Sequence, residues 1–67
     1  MPNVELLKDK MKKSGMTTVS IAEKSGMLRE TLYNRLEGKG EWKISEVRGL
    51  TKTLRLSKPD REEIFFS

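Results

Sequence analysis

The sequence predicts an all-α fold: a compact bundle of five short helices in one domain. Three observations carry this. Apolar residues recur at i, i+3 and i+7, the helical spacing, and nowhere alternate as strand residues do. Glycines follow three of these stripes, at Gly15, Gly26 and Gly38, where a left-handed turn closes a helix. Helix-start residues, Thr17 and Ser57, precede two of the five helices, the second and the fifth. With 67 residues the chain makes one domain at most, and such a domain buries only about 60% of the surface its unfolded chain exposes.

In the first helix Val4, Leu7 and Met11 form the apolar stripe among Lys8, Lys10, Lys12 and Lys13, and Ser14-Gly15 ends it. The second runs from about 18 to 25. Thr17 is its N-cap, with Met16 and Ile21 at the N′ and N4 spacing of a hydrophobic staple. It ends at Gly26, one turn after the small Ala22. The third runs from about 28 to 37, with Leu32 and Leu36 as its inward pair and Gly38 and Gly40 behind it. Trp42 anchors the following loop. The fourth starts at 44 or 45 and buries Val47, Leu50 and Leu54. Gly49 within it has two readings: a close packing point, or a weakness of about 1 kcal/mol relative to Ala. Ser57 caps the fifth, with Pro59 in its first turn and Asp60 at the positive end of the helix dipole. Leu56, Ile64 and Phe65 complete the expected core. Phe66 is either a partly exposed neighbour or part of a dimer seam.

Composition excludes several classes. There are no cysteines and no histidines, so a disulfide framework and the usual zinc sites are ruled out. The carboxylates lack calcium-loop spacing, and no cofactor is implied. Without a nucleophile–base pair, and with carboxylates scattered over helix surfaces, an enzyme is not expected. The opening MPNVELLKDKMKK is charged within ten residues and has no long apolar run. Neither a signal peptide nor a membrane span is expected there, and the expected setting is cytoplasmic.

Fourteen Lys and Arg against ten Asp and Glu give a net charge of +4. Residues 1–56 hold twelve basic and seven acidic groups, residues 57–67 two and three. A basic body suits a polyanion partner, although many ordinary solvated surfaces carry such a surplus.

The stretch IAEKSGMLRETLYNRL sharpens this. Ala22 permits a close helix crossing, Gly26 takes a turn that a side chain would strain, and Leu32 locks the second rod across the first. These are the requirements of a helix-turn-helix, whose second helix enters the major groove.

On IAEKSGM at 21–27, TLYNRLEGKGEWKISEV at 31–47 and LRLSKPDREEIFF at 54–66, the chain resembles the Cro/repressor-type helix-turn-helix proteins, the XRE family. It is similar in particular to the short phage and prophage versions of Gram-positive bacteria. The resemblance spans roughly Leu6 to Phe66. It implies a lambda-repressor-like five-helix bundle, transcriptional control, and binding to a double-stranded DNA operator as a homodimer on a two-fold site.

Together with the helical spacing, the resemblance gives the recognition helix five groove-facing residues: Leu28, Arg29, Glu30, Tyr33 and Asn34. Arg29 suits guanine, Asn34 adenine and Glu30 cytosine. Leu28 suits a thymine methyl group. Family members usually carry Ser or Thr at that place, so Leu28 is a departure and calls the phosphate contact of that hydroxyl into question. Thr17 and Thr18, at the start of the second helix, and Arg35, Lys39 and Lys43, flanking the third, are the expected phosphate contacts. A second reading stays open. The apolar Met27 and Leu28 at the tip also suit a protein-binding helix-turn-helix, an antirepressor that docks on a partner repressor.

Overall fold

In the computed structural model, which describes residues 2–66, Asn3 opens the first helix, α1 (Val4–Lys13), by accepting the Leu6 amide on its side-chain oxygen at 3.1 Å. Glu5 in the first turn and Lys10, Lys12 and Lys13 in the last match the helix dipole. Leu7 and Met11 are buried and Val4 is half-buried. The Asn3 amide also donates to the Ile64 carbonyl at 2.6 Å, which ties the start of the chain to its last helix.

Helix α2 (Thr18–Lys24) begins at Thr17, whose hydroxyl accepts the Ser20 amide at 3.1 Å. Ile21 and Ala22 are fully buried. The helix closes in a Schellman turn. Gly26 sits at φ +74°, its amide donates to Glu23, and the Met27 amide donates to Ala22 at 2.9 Å. Helix α3 (Arg29–Leu36) follows after four residues, one residue shorter at each end than the sequence suggests. Its N-cap is Leu28, in extended conformation and without a side-chain cap bond. Leu32 is fully buried and Leu36 half-buried.

Helix α4 (Ile44–Leu54) buries Val47 and Leu50. The structure decides between the two readings of Gly49. A Cβ there would collide with the backbone carbonyl oxygen of Ser25, so the residue is a close packing point between α4 and the end of α2. The Ser25 hydroxyl donates to Thr53 Oγ1 at 3.0 Å across the same seam. Arg55 then turns the chain in the left-handed region, at φ 53°, a conformation that costs roughly 1–2 kcal/mol for a side chain other than glycine.

Helix α5 (Lys58–Phe65) carries a full capping box: Ser57 accepts the Asp60 amide at 3.1 Å and Asp60 accepts the Ser57 amide at 3.3 Å. Ile64 and Phe65 point inward, and Trp42 packs edge-on against Phe65 with ring centroids 5.1 Å apart. Phe66 remains exposed.

The described residues thus form five helices and no strand. α2 packs on α3 and α4, while α5 packs on α1 and α4. Leu7, Ile21, Leu32, Leu50 and Ile64 are the largest fully buried side chains, one from each helix. Each contributes about 1.5–3 kcal/mol by leaving water. Every helix therefore has one anchor in a shared core. Among the described residues, no helix is long and apolar enough to cross a membrane.

Candidate nucleic-acid interface

With Leu32 locked in the core, helical geometry turns the opposite side of α3 to solvent. Leu28, Arg29, Glu30, Tyr33 and Asn34 are all exposed. Leu28 is 76% exposed and Tyr33 46%, so the tyrosine ring lies partly over its neighbours and offers the rest outward. One short rod presents a guanidinium, a carboxylate, a carboxamide, a phenol and an aliphatic tip along a single surface. Donors, acceptors and an apolar group are the chemistry that base edges require.

The flanking residues divide. Thr17 is exposed; Thr18 is half-buried and lines an open depression with Lys8, Met11, Lys12, Met16 and Leu36. Lys39 and Lys43 are exposed on the loop after α3. The Lys39 ammonium meets the Glu37 carboxylate at 3.2 Å. A surface pair of this kind is worth about 0–1 kcal/mol and yields easily to a competing anion.

Arg35 is placed differently from the other four. The sequence suggests a phosphate contact, but its guanidinium points inward, with its side chain 14% exposed. Nε donates to Glu46 Oε1 at 3.2 Å, Nη2 to Oε2 at 3.5 Å, and Nη1 to the Lys39 carbonyl at 3.1 Å. The Glu46 side chain is 9% exposed and also accepts the Lys43 backbone amide at 3.0 Å. The physical reason is position. Arg35 stands three residues after Leu32, on the inner flank of α3, where a charge has to find a partner.

Glu46 and Gly40 are therefore site residues that sequence reasoning missed. A signal existed for Glu46: it stands at N3 of its helix, where a carboxylate reaches back to the N-cap amide. Gly40 reads from sequence only as a helix stop. In the structure it makes room for the Arg35 guanidinium, with which a Cβ would collide.

Beside the tip of α3, Val19, Met27 and Leu28 form an open apolar depression bordered by Glu23, Arg29 and Glu30. Among the described residues no cluster of three or more acidic side chains could hold a metal ion. No family model, curated protein or solved structure matches the chain.

Proposed function

We propose that the protein is a sequence-specific DNA-binding regulator of transcription, a helix-turn-helix of the Cro/repressor kind acting in the cytoplasm. In this reading α3 lies in the major groove, and two copies meet on a two-fold operator. One observation carries it. The five side chains that the reading assigns to base edges all face outward from a helix whose inner side is pinned by Leu32 and by the Arg35–Glu46 pair. Arg29 would take guanine, Asn34 adenine and Glu30 cytosine, with Leu28 against a thymine methyl. Thr17, Thr18, Lys39 and Lys43 would hold the backbone, helped by Lys8 and Lys12.

A second reading has its own observation, the 76% exposure of Leu28 beside Val19 and Met27. That apolar tip suits a protein partner such as a repressor that the chain would mask. A gel shift with random-sequence double-stranded DNA at low salt separates the two. The DNA reading expects retardation that fades as salt rises, because each phosphate neutralised releases counterions. A chain that leaves the DNA unretarded would end that reading in favour of the partner. Selection of the retained DNA would then report the bases read and, through any inverted repeat, the pairing of two copies.

A further inference from the structure

We propose that Arg35 is a positioning residue: with Glu46 it fastens the loop of residues 37–43 to α3, and so sets where the loop lysines meet phosphate relative to the reading side chains. The inference rests on the DNA-binding reading above. Its basis is the way one ion pair holds that loop at two points. The Lys39 carbonyl is bonded to Arg35 and the Lys43 amide to Glu46, so each of the two lysines assigned to phosphate has one backbone group on a partner of the pair. Its other backbone group is tied to a helix end, the Lys39 amide to the Asn34 carbonyl at 2.8 Å and the Lys43 carbonyl to the Val47 amide at 3.0 Å. The closing turn of α3 and the packing of Trp42 on Phe65 hold the loop at other points, but Gly38 and Gly40, at φ +82° and +75°, contribute no side chain to pack, which leaves the pair as the side-chain tie for the stretch around Lys39. Gly40 is also the point where the guanidinium crosses the loop backbone, and any Cβ there would push it out.

The planar fork of arginine is what the arrangement needs. It bonds both carboxylate oxygens and still offers a third nitrogen to the carbonyl, which an ammonium on a flexible stem does not reproduce. A phosphate contact has no such need, because lysine serves well as a point charge there.

The test compares wild type with Arg35→Lys and Glu46→Met, using DNA selected by the wild-type chain from a random pool and amide hydrogen exchange of the free protein. Arg35→Lys keeps the charge, and melting curves check that each variant is folded. The expected result is faster exchange at the Lys43 amide and its loop neighbours. DNA binding weakens on every sequence alike, the salt slope falls by about one to two, and base preference is unchanged. Glu46→Met is expected to weaken binding as well, although it raises the net positive charge by one. Wild-type affinity in Arg35→Lys, or tighter binding in Glu46→Met, would show that Arg35 meets phosphate itself and would overturn the proposal. Unaltered loop exchange in a folded Arg35→Lys would overturn it too. Should the wild-type chain retard no DNA, the functional reading fails by itself, and the exchange data still decide whether the pair orders the loop.

Discussion

Helices α3 and α5 are equally long, eight residues each, yet they begin in opposite ways. At α5, Ser57 and Asp60 satisfy each other's amides, and Lys10 reaches the Asp60 carboxylate from α1 at 3.3 Å. At α3 the cap position holds Leu28, whose side chain accepts no amide and stands 76% in water. The first start is built for stability alone. The second forgoes about 1 kcal/mol of capping and leaves an aliphatic group at the most prominent point of the helix. Local rules broken without local compensation are expected where a surface has another task. The contrast separates a side of the molecule that holds it together from a side that, on the proposed reading, faces a partner.

The largest expected effect breaks both sides at once. Leu32→Ala removes the core anchor of α3 and should cost about 2–5 kcal/mol, a large part of what a domain this small has. A thermal melt reads it. Unchanged melting would mean that α3 is not held through Leu32, and its outward face would lose its definition.

Arg29→Ala comes next, and it should separate stability from binding. The side chain is exposed, so the melting temperature should stay within a degree or two of wild type while binding to selected DNA falls by about 1–3 kcal/mol, with relaxed preference at one base. Equal loss on every sequence would move Arg29 from a base edge to a phosphate.

The two caps then give a matched pair. Ser57→Ala should destabilise by about 1 kcal/mol, and Leu28→Ser should stabilise by a similar amount, because it supplies the hydroxyl that α3 lacks. Urea titration measures both. If Leu28→Ser stabilises the fold and weakens DNA binding together, the departure at this position belongs to recognition. If it does neither, the contrast between the two starts is accidental.

The residues that separated these two sides were unequally legible. Stability residues read well. Leu7, Met11, Ile21, Leu32, Val47, Leu50 and Ile64 all follow helical periodicity and all lie in the core, because burial of an amphipathic stripe is a local pattern with one outcome. Thr17, Ser57 and Gly26 read well for the same reason, since a cap or a left-handed turn is fixed within four residues. Arg35 did not. Its partner lies eleven positions on, in another helix, and only the tertiary fold brings a carboxylate to the inner flank of α3. Gly49 carried a signal, a weak residue inside a strong stripe, but only the approach of Ser25 gave it a meaning. Arg55 gave none, because a left-handed close made by arginine leaves no glycine to notice. What was legible was each helix by itself. What was not was the set of contacts that only the tertiary fold brings together, Arg35 with Glu46 and Gly49 with Ser25.

The smallest expected effect lies in acid, on the side that holds the molecule together. Hydrogen bonds from Ser57, through its side chain and its backbone, and then the nearby Lys10 ammonium, hold the Asp60 carboxyl below its ordinary value of 3.8. A carboxyl with a lowered value in the folded state adds stability above its unfolded value, and loses it as pH falls through the folded one. Wild type should therefore lose stability in the region below about pH 4 more steeply than Asp60→Asn, whose amide does not titrate. The two should run parallel at neutral pH, offset by the lost charge. Leu28 offers no such group, so the start of α3 contributes nothing to that acid limb. Melting curves taken from neutral pH down to the acid limb test this. Identical slopes in wild type and Asp60→Asn would mean that the α5 capping box persists when protonated, and that its advantage over the start of α3 comes from the Ser57 hydroxyl alone.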